Sequence, residues 1–221
     1  MEGAVITKIR YSPRGDIAYM DLKLPNISEE QSVCCATEFL EERGWSLQGG
    51  DTLNADRLTA LLKLDACTRA VQKGLTLLDY SDQTARSLQR KLSTRGFDRE
   101  SADFAVSYLC RKRWIREDEY MRRLIRKYYQ KGYGPSRIKN ELYAKGFDRE
   151  LFSTVFEEET AELDFDLSAE AVLKKLGSAE MLSDMQGRKK IFAAMQRRGF
   201  SFSQIRSAAE QMQNASDDDE A

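Results

Sequence analysis

The chain has 221 residues, with 35 Lys and Arg against 36 Asp and Glu, a formal net charge of −1, no histidine and three prolines. Its 41% hydrophobic content suffices for a core, whereas its apolar runs fall far short of the ~20 residues that a membrane-spanning helix requires. The missing histidine removes Ser-His-Asp, Cys-His and histidine-metal chemistry, together with the commonest general base near neutral pH.

Residues Met1 to Lys8 lack the basic, apolar and small-residue order of a secretory signal, so the chain is expected in the cytoplasm. Val5–Tyr11 and Ile17–Leu24 are rich in β-branched and aromatic residues and flank Ser12-Pro13-Arg14-Gly15-Asp16, which has turn chemistry. A β-hairpin is predicted there as the only sheet. Ser28 and Gln31 have capping-box spacing and Gly44 is a permissive stop, which predicts a helix over about Ser28–Arg43. Cys34, Cys35, Cys67 and Cys110 have neither C-x-x-C spacing nor a histidine to complete a zinc shell and are expected to be free, buried thiols. Asn54 then caps a helix that carries Leu58, Leu61 and Leu62.

From there the chain repeats itself. Arg90 to Glu100, with Arg95-Gly96-Phe97-Asp98-Arg99-Glu100, recurs as Asn140 to Glu150, with Lys145-Gly146-Phe147-Asp148-Arg149-Glu150, and more weakly as Ala193 to Ser203 around Gly199-Phe200. The Gly-Phe pairs are 50 and 53 residues apart; Leu88, Ile138 and Ile191 align around them, as do Leu92, Leu142 and Met195. Each copy spells a helix ended by a left-handed glycine, a Phe that packs back on it, and an Asp or Ser that caps the next helix.

With one more helix upstream the unit has three, expected at about Thr68–Tyr80, Asp82–Arg95 and Asp98–Lys112, then Glu117–Lys131, Pro135–Lys145 and Asp148–Glu162, then a third set within Ser168–Asn214. Gly132-x-Gly134 reads as a turn before Pro135 rather than a phosphate loop. The expected fold is mainly all-α, an elongated curved array of tandem three-helix repeats behind a small β-hairpin and helices. Residues 1–62 form the N-terminal extension, 63–115, 116–166 and 167–214 the three repeats, and 215–221 an acidic tail.

The near-zero net charge conceals opposing blocks. Residues 86–150 carry 18 basic and nine acidic residues, 151–170 carry seven acidic and no basic ones, 171–206 carry eight basic and two acidic, and 207–221 carry five acidic and no basic. On the helix from Glu117, Met121, Leu124, Ile125 and Tyr128 form the core stripe and leave Arg122, Arg123, Arg126 and Lys127 outside; on the preceding repeat Ala85, Leu88 and Leu92 leave Arg86, Arg90 and Lys91 outside. Seven cations without acidic residues beside them point to phosphate or an acidic protein as partner. Tyr128, Tyr129 and Tyr133 could stack on bases, with core packing the alternative for Tyr128. Solubility, electrostatic restraint of the basic face and a disordered tail account equally well for Glu157–Glu170 and Asp217–Glu220; neither has metal-ligand spacing.

The order of these features resembles the RecX family of bacterial regulators of the RecA recombinase. Its carriers are Ile6-Thr7-Lys8-Ile9, Ala85-Arg86-Ser87-Leu88 with Lys91-Leu92 and Arg95-Gly96-Phe97, Trp114-Ile115-Arg116-Glu117-Asp118-Glu119-Tyr120, and Lys131-Gly132 with Glu141-Leu142 and Lys145-Gly146-Phe147. The resemblance implies a monomeric, cytoplasmic regulator without cofactor or catalytic residues. It would lodge in the RecA filament on DNA, touching DNA directly or through RecA, and inhibit recombinase and ATPase activity in DNA repair and the SOS response. A stand-alone single- or double-strand DNA-binding repeat protein is the alternative. Arg86, Arg90, Lys91, Arg122, Arg123, Arg126 and Lys127 are the expected filament contacts, and charge reversal at Arg122, Arg126 and Lys127 is expected to abolish any effect on RecA-catalysed ATP hydrolysis while leaving helicity intact.

Overall fold

The computed structural model describes residues 3–25 and 27–219. They form two compact units, which divide between Ile115 and Arg116. The hairpin is present, with β1 (Ala4–Tyr11) antiparallel to β2 (Ile17–Lys23) and Gly15 left-handed in the turn. It is half of a sheet rather than all of it: β3 (Gln31–Ala36) and β4 (Thr52–Leu53) complete the order β3-β2-β1-β4.

The helix expected over Ser28–Arg43 is therefore a strand followed by one short helix, α1 (Thr37–Glu41). The reason is tertiary. Ser32 to Ala36 pair with Asp21 to Ile17 of β2, and the outer edge of β3 is taken up by α2 (Ala55–Tyr80), whose Asp65 carboxylate accepts the Cys34 N–H at 2.7 Å and whose Thr68 hydroxyl accepts the Ala36 N–H at 3.0 Å. A sheet edge covered in this way has its backbone donors satisfied without another strand. α2 is one continuous helix capped by Asn54, which merges the two helices expected at Asn54 and Thr68 and runs through residues 62 and 63, where the repeat reading starts the first repeat.

After α2 come α3 (Ala85–Ser93), α4 (Arg99–Arg111), α5 (Glu117–Gln130), α6 (Pro135–Lys145), α7 (Arg149–Ala161), α8 (Phe165–Leu176), α9 (Ala179–Ser183), α10 (Met185–Arg197) and α11 (Phe202–Asp219), so that the last repeat holds a short extra helix, α9, and α11 takes in residues 215–219 of the expected tail. Glu220 and Ala221, the end of the acidic tail, lie outside the described residues. The three corners have the expected chemistry. Gly96, Gly146 and Gly199 are left-handed, and Asp98, Asp148 and Ser201 accept the N–H groups of Ser101, Leu151 and Gln204. Ser201 and Gln204 close a complete capping box, since Gln204 accepts the Ser201 N–H in return. The aligned Leu88, Ile138 and Ile191, and Leu92, Leu142 and Met195, are all buried.

In the first unit the sheet, α2 and α4 share one apolar core, with Phe39 edge-on to both Phe104 and Tyr108. Glu38 joins α1 to α4 by accepting from Tyr108 Oη at 2.8 Å and pairing with Lys112 at 2.6 Å. Lys112 and then Tyr108 hold its carboxyl below the usual range. The cysteines are free thiols, Cys34, Cys35 and Cys67 buried and Cys110 half-buried. Burial pushes Cys34 from 9.0 to about 11 and Cys35 to about 12, and burial followed by Glu38 pushes Tyr108 from 10.0 to about 12.

All three groups are raised on folding, so each favours the folded state fully below its unfolded value and loses that contribution as the pH climbs to the folded value. The first unit is therefore expected to weaken between about pH 9 and pH 12. Urea titrations at pH 7, 9 and 10.5 check this, and a Cys34→Ala/Cys35→Ala variant should flatten the lower part of the decline.

Candidate partner interface

Thr84 opens α3 by accepting the Ser87 N–H at 3.1 Å. Leu88 and Leu92 point into the core; this leaves Arg86 and Arg90 exposed and Lys91 at the boundary. Among the described residues none of these three side chains makes an ion pair. They are a compact cationic patch in the first unit with its donors turned to solvent.

The α5 face, in the second unit, is different. Met121, Leu124 and Ile125 are buried as expected, but the acidic segment of α7 packs beside the arginines. Arg122 pairs with Glu158 at 2.6 Å and Glu159 at 3.2 Å, and Arg126 pairs with Glu159 and, at 3.6 Å, with Glu162. Glu159 is only 2% exposed. Glu158 raises the Arg122 guanidinium above its ordinary value and Glu159 does the same for Arg126. Arg123 reaches Glu119 at 3.9 Å, and Lys127 makes no ion pair among the described residues.

Arg122 and Arg126 are thus not the cations without acidic neighbours that the sequence predicts. Their partners lie 33 to 37 residues away, out of reach of any local pattern. For the reversal of Arg122, Arg126 and Lys127, expected from the sequence to leave helicity intact, the pairing predicts a cost in stability instead, because a buried carboxylate would lose both of its cations. The tyrosines are packed as well: Tyr128 stacks on Tyr133 at 5.7 Å, and Tyr129 meets Phe165 edge-on and donates to the Asp164 carbonyl at 2.8 Å.

Sequence reasoning missed a third cationic group. The second and third repeats interlock through glycines: the Gly134 N–H donates to the Arg198 carbonyl at 2.8 Å and the Ser136 N–H to the Gly199 carbonyl at 3.2 Å. This joint brings Lys131 and Arg137 beside Arg197 and Arg198. The one available signal was that each of these pairs flanks a glycine turn.

Among the described residues no group of three or more Cys, Asp or Glu side chains is placed to hold a metal, and no helix is long and apolar enough to cross a membrane. Three-helix modules joined at glycine corners, displaying cationic helix faces, define a helical-repeat protein. The model of the second three-helix domain of RecX matches residues 117–155 and that of the third matches residues 162–208. The chain is 30% identical over 138 residues to the regulatory protein RecX of Stenotrophomonas maltophilia strain R551-3, covering 62% of this chain and 83% of that protein. It is 31% identical over 131 residues to that of Actinobacillus pleuropneumoniae serotype 5b strain L20, covering 59% and 84%. A crystal structure of regulatory protein RecX superposes with a TM-score of 0.72 over 96% of this chain and 99% of the other at 18% identity, and that of RecX from Lactobacillus salivarius with 0.58 over 67% and 97% at 20% identity. The chain belongs to the RecX family of regulatory proteins.

Proposed function

We propose that this chain binds the RecA recombinase filament in the cytoplasm and inhibits its ATPase and recombinase activities, with repeats at 63–115, 116–166 and 167–214 as the units that engage it. Membership of the family supports the reading. The observation that carries it for this chain is the α3 patch of Arg86, Arg90 and Lys91, which make no ion pair among the described residues. Such donors form charge-assisted bonds to acidic side chains or to phosphate without first breaking an internal pair. Lys127 extends the reading to α5, and Arg123 takes part to the extent that Glu119 releases it. Arg122 and Arg126 take part only to the extent that Glu158, Glu159 and Glu162 release them.

The test is RecA-catalysed ATP hydrolysis on single-stranded DNA. An Arg86→Glu/Arg90→Glu/Lys91→Glu variant is expected to raise the half-inhibitory concentration by roughly tenfold or more while its circular dichroism stays that of the parent. Inhibition unchanged by the triple reversal defeats the assignment. Tight binding of the parent to naked single strands, with a steep salt dependence, would favour a stand-alone nucleic-acid binder.

A further inference from the structure

We infer that the junction of the second and third repeats is a binding pocket for phosphate groups, separate from the α3 and α5 faces. A cavity of about 590 Å³ lies there, lined by Lys131, Arg137, Arg197 and Arg198 with Tyr133, over an apolar floor that includes Leu176. Among the described residues no carboxylate lines it. A second cavity of about 320 Å³ shares Lys131, Leu176 and Arg198 with the first and leads on to Lys175, so the cationic lining continues along α8.

Three chain segments supply these charges, and Arg137 is tied to its surroundings by three contacts. Arg137 lies over the Tyr133 ring at 4.2 Å, donates to the Arg197 carbonyl at 3.1 Å and approaches Glu141 at 3.7 Å. Arg198 lies against the left-handed turn at Gly132, where its guanidinium would stand 3.8 Å from a Cβ added to the glycine. Among the described residues Lys131, Lys175, Arg197 and Arg198 make no ion pair. This sets them apart from Arg122 and Arg126, which the fold neutralises.

Helix capping accounts for part of the arrangement, since Lys131 ends α5 and Arg197 and Arg198 end α10, where the helix dipole favours cations. It does not account for their convergence from different helices on one cavity. Compact polyanions fit such a site, because each phosphate offers several oxygens that an arginine fork and a lysine can share, whereas a carboxylate offers two. Tyr133 is already engaged by Tyr128 and Arg137, so no base is stacked there and recognition rests on the phosphates alone. These phosphates come either from a free polyphosphate or nucleotide, or from a nucleic-acid backbone.

The experiment titrates the full chain by calorimetry with sodium tripolyphosphate, with a twelve-nucleotide strand of abasic sites, and with hexaglutamate. At least one phosphate probe is expected to bind. Tripolyphosphate alone identifies the free ligand as the source, and the abasic strand identifies the backbone. Lys131→Gln/Arg198→Gln should weaken that binding roughly tenfold and lower the slope of log K against log salt by about two, with Arg14→Gln, in the exposed turn of the β-hairpin, as the unaffected control. Arg197→Gln, at an exposed position, gives a second reading should the double variant fold poorly. Binding of neither phosphate probe, binding indifferent to these variants, or hexaglutamate bound as tightly overturns the inference. No recombinase is present, so failure here leaves the RecA reading standing.

Discussion

Replacing Gly199 with alanine is expected to destabilise the second unit by about 3–5 kcal/mol, a large share of the ~5–15 kcal/mol that holds an ordinary domain together. Two costs coincide at this residue. Its φ is +89°, where an L side chain carries a penalty of roughly 1–2 kcal/mol. In addition, an added Cβ would overlap the backbone of Arg137, whose Cα would stand 2.9 Å away, and the first turn of a helix cannot rotate aside as a side chain can. Relief requires α6 and the α10–α11 corner to separate, which breaks the bonds from Gly134 N–H to the Arg198 carbonyl and from Ser136 N–H to the Gly199 carbonyl.

Gly96→Ala is the matched control. It has the same φ of +89° but nothing within 4 Å of the added Cβ, so it should cost only the conformational share, about 1–2 kcal/mol. Hydrogen exchange of α8, α10 and α11 amides separates the two outcomes, since those helices should lose protection in the Gly199 variant alone. Equal effects of the two substitutions would show that the joint between repeats contributes little.

The same comparison marks what was legible in the sequence. The corners at Gly96, Gly146 and Gly199 could be read because helix stops and caps are local: a glycine, the aromatic after it and the Asp or Ser that follows settle the backbone within a few residues. The hairpin was legible for the same reason. β3 was not, because Ser28 and Gln31 imitate a helix start, while the strand is decided by pairing with β2 and by Asp65 and Thr68 from a helix some thirty residues on. The candidate site divides likewise. That Arg86, Arg90 and Lys91 face outward follows from the α3 periodicity, but the pairing of Arg122 and Arg126 with α7, and the meeting of Lys131 with Arg198, depend on packing between helices. Local periodicity tells which face of a helix is polar and is silent on what lies against it.

Reversing Arg122 and Arg126 together, as Arg122→Glu/Arg126→Glu, is expected to unfold the second repeat rather than merely silence a binding face. Glu159 is almost wholly shielded from water, and its two carboxylate oxygens are taken by Arg122 Nη1 at 3.2 Å and by Arg126 Nε. Stripping a buried charge of its partners typically costs about 3–5 kcal/mol, more than replacing the whole pair by apolar groups. The variant also sets two new anions against Glu158, Glu159 and Glu162 on the facing helix. Glu159→Leu makes the complementary change: it removes the buried charge and leaves Arg122 paired with Glu158 and Arg126 with Glu162, so stability should stay within about 1 kcal/mol of the parent. It also removes the one carboxylate that both arginines share, which weakens the hold of α7 on two cations of the α5 face. If α5 meets the RecA filament, Glu159→Leu should inhibit ATP hydrolysis at lower concentration than the parent, and the acidic segment of α7 then acts as a restraint on that face. If the double reversal melts with the parent, the pairs to Glu159 do not hold the repeat, and Arg122 and Arg126 return to the set of freely available contacts.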